Sequence, residues 1–416
     1  MKILILSNIF PPGFIGGYEL GALDVAKGLQ ACGHEVHVLT SDYFLDDGLE
    51  LSPLNVSRSL ICNSLSHERG NGDFVHHLYY SFHNIRVLGS AIRRFKPDVV
   101  LTFNLNGLGV FSIIQYLQKI QMPTILYLMD NIFDRLDLSS PVHKQYEKLF
   151  GMLEFSFSTR IIAMSKNVSE EVSSILNLGL RDVTYIPGWV DFDRQQLAQI
   201  PTRQGKGAKF VFCSRVAQHK GIDIVIDAAE QLVQQGFTQF TVDVYGGGQV
   251  APFLQKVKAK NLGDYISYKG LASKDEMLAI LSRYDALLFP TWEREAFGFV
   301  ASEAAVAGCF PVMTAGIGAS EWFLDGYDCL KISRDCRSLR SAMLQVMLWS
   351  DEEITRNRTA ALRSGRKNFS FDRWLSTIQK VCVDVIGTKS TRDLSRSTRG
   401  AESAFLFLSS LLKEAL

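Results

Sequence analysis

Two carboxylates stand close together in Pro290-Thr291-Trp292-Glu293-Arg294-Glu295-Ala296-Phe297-Gly298-Phe299-Val300-Ala301-Ser302-Glu303, with seven residues between Glu295 and Glu303. The segment follows a buried apolar run at 286–289 and leads into a helix expected over 300–307, which puts Glu295 in the turn and Glu303 on the helix. Exposed N–H groups of residues 296–300 at such a helix start can receive sugar hydroxyls or a phosphate. Two separated carboxylates can serve two different polyol groups. The plainer reading makes Glu295 a charge favoured by the helix N-terminus and Glu303 part of a solvated helix face.

A cationic pair lies upstream. Arg215 and Lys220, in Cys213-Ser214-Arg215-Val216-Ala217-Gln218-His219-Lys220-Gly221, follow an apolar run at 210–213. At the carboxyl end of a strand they suit a diphosphate, the arginine as a fork and the lysine as a point charge. A solvated pair is the alternative. Near the amino terminus, Pro11-Pro12-Gly13-Phe14-Ile15-Gly16-Gly17-Tyr18-Glu19 carries adjacent glycines into a helix, so backbone N–H groups there can approach an anion closely. An ordinary strand–helix turn would use the same glycines, and the G-x-G-x-x-G spacing of a nicotinamide fold is missing. Tyr245-Gly246-Gly247-Gly248 invites a dinucleotide reading, but glycines after a buried strand often only permit tight packing.

The elements that must position these groups alternate. Apolar runs at 2–7, 35–39, 99–103, 124–128 and 159–163 read as buried strands. Ala22, Val25, Ala26 and Leu29 fall on one helical face, and Gly33 stops that helix. Residues 43–77 are less regular and read as an insertion or an antiparallel excursion. A polar stretch at 195–209, with Pro201, Gly205 and Gly207, reads as a linker. The alternation then restarts at 210–213 and continues through 241–245, 265–268, 286–289 and 310–313. The expected fold class is α/β, with two Rossmann-like doubly wound domains facing a central cleft at the carboxyl ends of their strands. The expected division is 1–194, the linker at 195–209, 210–370, a helix at 371–386 returning to the first domain, and a polar tether with an amphipathic tail at 387–416.

The 416 residues carry 44 Lys+Arg against 43 Asp+Glu and are 47% hydrophobic, enough for two cores and against a largely disordered chain. A net charge of +1 argues against a nucleic-acid partner held by bulk electrostatics. No uncharged apolar stretch reaches the ~20 residues of a membrane helix. The first apolar run is shorter than the core of a signal peptide and stops at Pro11-Pro12, as a buried strand would. Cys32, Cys62, Cys213, Cys309, Cys329, Cys336 and Cys382 are scattered without a C-x-x-C pair, which reads as reduced thiols in a cytoplasmic protein.

Glu295–Glu303 matches the E-x7-E pattern of retaining GT-B glycosyltransferases, and residues 304–312 are similar to the segment that follows it in that family. With Arg215, Lys220-Gly221, the Gly16-Gly17 turn and Ile186-Pro187-Gly188-Trp189-Val190-Asp191, in order over residues 1–386, the sequence resembles glycosyltransferase family 4. The resemblance implies transfer of a sugar from a nucleoside-diphosphate sugar, UDP- or GDP-type, to an acceptor hydroxyl with retention of anomeric configuration. Polysaccharide, glycolipid or other glycoconjugate synthesis would be the setting. It implies that Arg215 and Lys220 bind the donor diphosphate with help from Gly16 and Gly17, and that Glu303 holds the ribose. Glu295, beside Ala296 and with the amides of Phe297 and Gly298, would bind the donor sugar. The amides of Phe299 and Val300 would approach the distal phosphate, and Leu271 would line the base pocket. No metal or other cofactor is implied, because the Arg/Lys pair and the helix dipole neutralise the leaving diphosphate. Asp191-Phe192-Asp193 mimics the D-x-D metal motif of the other glycosyltransferase fold, but it lies in the family's segment before the linker.

One position departs from the family. A His-Asp pair usually follows a first-domain strand there, and here Tyr127-Leu128-Met129-Asp130-Asn131 keeps Asp130 but has Met129 in place of the histidine. Asp130 is expected at the catalytic centre with Glu295, Arg215 and Lys220; either the donor sugar is held differently, or Asp130 and Asn131 take over its polar contacts. Three other readings stand beside this one: a nucleotide-sugar epimerase of the same fold, a noncatalytic sugar-nucleotide-binding partner, and a nicotinamide enzyme built on Gly246–Gly248. The acceptor leaves no recognisable code in the loops at 43–77 and 104–107. Arg93, Arg94 and Lys96 read as a solvated helix end, or as a peripheral contact with an anionic membrane surface bearing a lipid-linked acceptor.

Overall fold

A computed structural model describes residues 1–43, 54–62, 74–131, 159–176, 183–192 and 207–387. The chain divides into two compact units, one of Met1–Ala163, Val168–Tyr185 and the chain from Leu375, the other of Met164–Asn167 and Ile186–Trp374.

In chain order the first stretch holds β1 (Lys2–Leu6), α1 (Gly17–Ala31), β2 (Glu35–Ser41), β3 (Asn55–Leu60), α2 (Phe74–Phe95), β4 (Val99–Thr102), α3 (Val110–Lys119), β5 (Thr124–Leu128), β6 (Thr159–Ala163), α4 (Lys166–Leu176) and β7 (Val183–Tyr185). The strands form one parallel sheet in the order β3-β2-β1-β4-β5-β6-β7. Its central strands are apolar on both faces because helices cover both, as all-parallel sheets require: every residue of β4 and β5 is buried. The stripe Ala22, Val25, Ala26 and Leu29 of α1 is fully buried. Within the region at 43–77, the strand among the described residues is parallel, not antiparallel. β3 pairs parallel with β2, His37 opposite Asn55 and Leu39 opposite Ser57. Its sequence hides this, since Asn55, Ser57 and Ser59 lack the apolar run that marks the other strands.

The second stretch holds β8 (Ala208–Cys213), α5 (Ile222–Gln234), β9 (Phe240–Tyr245), α6 (Val250–Ala259), β10 (Ile266–Gly270), α7 (Lys274–Leu281), β11 (Ala286–Phe289), α8 (Phe299–Val306), β12 (Phe310–Thr314), β13 (Leu330–Ile332), α9 (Cys336–Leu348), α10 (Asp351–Phe369) and α11 (Phe371–Gly387). Its sheet is also parallel, in the order β10-β9-β8-β11-β12-β13. The chain winds outward one way through β8, β9 and β10 and the other way through β11, β12 and β13. The strand order therefore reverses between β8 and β11, the place where open α/β sheets bind ligands.

Residues 186–190 pack within the second unit. The Val190 N–H donates to the Phe369 carbonyl at 2.7 Å, and the Trp189 ring lies 4.3 Å from that of Trp374. A Cβ on Gly188 would sit 2.7 Å from the Phe297 ring and 2.8 Å from the Phe299 ring, so this segment lies directly against the turn that carries Glu295. Most of the expected linker and the tail from residue 388 fall outside the described residues. All seven cysteines are free thiols. No described helix is long and apolar enough to cross a membrane.

Candidate functional site

The loops after β8 and β11 are neighbours and are bonded to one another. The Trp292 N–H donates to the His219 carbonyl at 3.0 Å, and Gly221 packs so closely that a Cβ there would lie 2.0 Å from the Pro290 carbonyl oxygen. This contact brings the cationic segment and the carboxylate segment together. Lys220 Nζ forms an ion pair with Glu295 Oε2, with both side chains 19% exposed. The same oxygen accepts from Thr291 Oγ1 at 3.1 Å and from Trp292 Nε1 at 3.3 Å. All three contacts fall on Oε2, and Oε1 has no protein partner among the described residues. Glu295 is thus held in one orientation with one oxygen open to an incoming hydroxyl.

The cations around it are unevenly engaged. Arg215 is exposed and makes no hydrogen bond or ion pair among the described residues. The His219 ring, from the same segment, packs edge to face with the Trp292 ring at 5.9 Å between centres. Burial, then the charges of Lys220 and Arg215, hold the His219 pKa below its ordinary value, so the imidazole is neutral near pH 7. Two cations and a neutral donor–acceptor ring therefore line the end of β8.

The helix start adds a second anion-binding element. Gly298 caps α8 at φ 91°, ψ 62°, a left-handed conformation that any side chain would strain, and a Cβ there would lie 2.9 Å from the Phe289 ring. The Phe297 ring is buried against Phe299 and Phe369, at 5.1 and 5.8 Å between centres, which fixes the turn. The N–H groups of Phe297, Gly298, Phe299 and Val300 donate to nothing among the described residues. Unpaired amides at a helix N-terminus make a ready anion site. Ala296 lies in the same turn, its carbonyl 2.1 Å from where a Cβ on Gly318 would stand. Glu303 is half-buried on α8; burial, then the charge of Glu303, raises the Cys213 thiol to about 12, which places this carboxylate near the carboxyl end of β8. Leu271, 78% exposed, leans over Gly247 with its Cδ2 3.4 Å from where a Cβ would be.

The glycine run after β9 serves packing. A Cβ on Gly246, at φ 143°, would lie 1.9 Å from the Ser214 carbonyl oxygen, and the Val216 N–H donates to the Gly247 carbonyl at 2.7 Å. The Gly246 N–H donates to the Gly270 carbonyl at 2.9 Å. The loops after β8, β9 and β10 are thereby tied together, and the dinucleotide reading of these glycines loses its free amides at Gly246.

Gly16, Gly17 and Asp130 lie in the first unit. Gly17 opens α1, but the Gly16 N–H is already bonded, donating to Glu19 Oε2 at 2.9 Å, and the Ile15 N–H donates to the same oxygen at 3.1 Å. Gly16 therefore shapes the turn and offers no free amide. Tyr18 was not singled out by its sequence, yet its hydroxyl accepts from the N–H groups of Met129 at 2.8 Å and Asp130 at 2.7 Å. It binds the glycine turn to the segment after β5. Met129, at the position of the family histidine, is 6% exposed. Asn131 gives its side-chain amide to Glu171 at 3.1 Å and its backbone N–H to Asp130 Oδ1 at 2.8 Å, and Asp130 stands exposed.

Two family models match the chain: Glycosyltransferase Family 4 over residues 15–194 and Glycosyl transferases group 1 over residues 193–359. Between them the two models span residues 15–359, and the chain is a glycosyltransferase. Among relatives, a Mycobacterium tuberculosis glycogen synthase is 25% identical over 389 residues, covering 89% of this chain and 91% of its own. Among solved structures, a glycosyltransferase from Rickettsia africae superposes with a TM-score of 0.71 at 16% identity, covering 93% of this chain and 99% of its own. The Anabaena protein HepE, in complex with UDP and glucose, has a TM-score of 0.65 at 18% identity, over 92% of this chain and 99% of its own. These structures share the GT-B fold of this glycosyltransferase, two parallel α/β sheets with interleaved helices. Among the described residues, no group of three or more His, Cys, Asp or Glu side chains could hold a metal ion.

Proposed function

We propose that this glycosyltransferase takes a sugar from a nucleoside-diphosphate sugar, of UDP or GDP type, and transfers it to an acceptor hydroxyl with retention at the anomeric carbon. The observation that carries the reading is the constellation at the β8–β11 switch point. An unpaired Arg215, the Lys220–Glu295 pair and four open amides at the start of α8 supply donors for a diphosphate beside a carboxylate with one oxygen open. UDP and glucose bound to HepE make a UDP-sugar the first donor to test.

In this mechanism Arg215, Lys220 and the Phe299 and Val300 amides hold the diphosphate and stabilise the charge it gains as the bond to the anomeric carbon breaks. They neutralise the leaving group without a metal. The acceptor oxygen attacks the face from which the diphosphate departs, and its proton passes to the departing phosphate oxygen. Glu295 Oε1 accepts a hydroxyl of the donor sugar, while Oε2, fixed by Lys220, Thr291 and Trp292, keeps the carboxylate oriented and stabilises positive charge on the ring. Glu303 binds the ribose and Leu271 the base.

A panel of nucleoside-diphosphate sugars screened by thermal shift tests this reading, because a ligand at 100 times its Kd stabilises the native state by about 2.7 kcal/mol. A shift with one UDP- or GDP-sugar that Arg215→Ala removes supports it. No shift with any member of the panel would count against it.

A further inference from the structure

Strand geometry puts Asn55, Ser57 and Ser59 of β3 on one face of the first unit's sheet and Val56, Arg58 and Leu60 on the other. The second face is engaged: Leu60 is buried, and the Arg58 guanidinium donates to the Phe10 and Pro11 carbonyls at 3.0 and 2.5 Å. The first face meets α2 along Val87, Ser90, Ala91 and Arg94, spaced i, i+3, i+4, i+7. Large apolar side chains normally fill the space between a sheet and its covering helix. Three serines, an asparagine and an alanine do not, and a cavity of about 480 Å³ remains between them.

Its floor is Leu39 and Phe95, 1% and 8% exposed, and its wall is His37, whose Nε2 shares a hydrogen bond with Ser57 Oγ at 2.9 Å. Asn55, Ser59 and Arg94 stand exposed at its mouth. The Arg94 guanidinium makes no hydrogen bond or ion pair among the described residues. Phe95 offers no surface for stacking a base, since it is buried, packs edge to face with His37 at 5.3 Å between ring centres, and has Lys2 Nζ 5.5 Å from its ring centre.

We propose that this cavity binds a small polyhydroxylated anion of the sugar-phosphate class. Its volume falls in the range of about 300–1,000 Å³ usual for ligand pockets. The serine hydroxyls and the Asn55 amide donate and accept as sugar hydroxyls do, and one cation at the mouth matches one anionic group. Arg94 thereby gains a role that a solvated helix end does not give it. The inference stands apart from the donor reading, because it uses none of the residues assigned to the donor.

The test titrates the full chain by calorimetry with glucose 6-phosphate, inorganic phosphate and methyl glucoside, in the parent, Arg94→Gln, Ser90→Leu and Lys220→Ala. The proposal expects glucose 6-phosphate to bind more tightly than the other two and to bind Lys220→Ala unchanged. It expects binding to weaken about ten-fold or more in Arg94→Gln, where a charge-assisted hydrogen bond is lost, and to disappear in Ser90→Leu, where the cavity is filled. Arg94 is exposed, so its variant keeps the fold and carries the test if Ser90→Leu does not. Absence of binding by glucose 6-phosphate overturns the site, as does binding indifferent to Arg94→Gln or lost only in Lys220→Ala. Inorganic phosphate binding as tightly as glucose 6-phosphate overturns the assignment of the hydroxylated part.

Discussion

Replacing Lys220 by alanine separates a structural role from a chemical one, because the two losses differ in size. The Lys220–Glu295 pair is 19% exposed on each side, between a surface pair and a buried one. Exposed pairs contribute about 0–1 kcal/mol and breaking a buried pair costs about 3–5 kcal/mol, so about 1–2 kcal/mol is expected here, with Thr291 and Trp292 still donating to Glu295. Against a total stability of about 5–15 kcal/mol, such a loss leaves the protein folded at 25 °C. Loss of one stabilising contact to the leaving diphosphate lowers turnover about 10²–10³-fold, far more than the folding change accounts for. The assay pairs urea unfolding with initial rates on the donor found by the panel, for Lys220→Ala, Glu295→Gln and the double variant. A double-mutant cycle should give a stability coupling of about 1 kcal/mol, within the range for residues in direct contact. Turnover unchanged in Lys220→Ala would refute the chemical role, and additive stability losses would refute the pairing.

Two further predictions concern the first unit. Tyr18→Phe removes the acceptor for the Met129 and Asp130 N–H groups and should lower stability by about 1–3 kcal/mol, read as a lower urea midpoint; an unchanged midpoint would show that water replaces the hydroxyl. Burial holds the His37 pKa below its ordinary value, so the unfolded chain binds the extra proton first as pH falls below about 6.5, and stability declines from there. The melting temperature should therefore fall less between pH 7.5 and 5.5 in His37→Gln than in the parent, and an equal fall would remove His37 from the account.

The alternation of apolar runs made the parallel sheets legible, because strands such as Thr124–Leu128 and Ala286–Phe289 are buried on both faces and need continuous hydrophobicity. β3 was not legible, since its face toward α2 is built of small polar residues. β13 has only three residues, too few to show a pattern. At the candidate site, the spacing of Arg215, Lys220, Glu295 and Glu303 was open to inspection, but the partners of Glu295 were not. Thr291 and Trp292 reach Oε2 through the conformation of the turn, which no periodicity encodes. Gly16 misled for the same reason: adjacent glycines suggest open amides, whereas the Glu19 carboxylate three residues on takes the Gly16 N–H. Tyr18 gave no local signal either, because its hydroxyl serves residues 111 and 112 positions away.

The central claim is transfer from a nucleoside-diphosphate sugar with retention at the site of Arg215, Lys220 and Glu295. Proton NMR of the first-formed product, followed in real time from an α-linked donor, tests it most directly. The account predicts an α-configured glycoside whose formation Lys220→Ala slows by about 10²–10³-fold. A β-configured product, or an α-configured product formed at the same rate by Lys220→Ala, would contradict it.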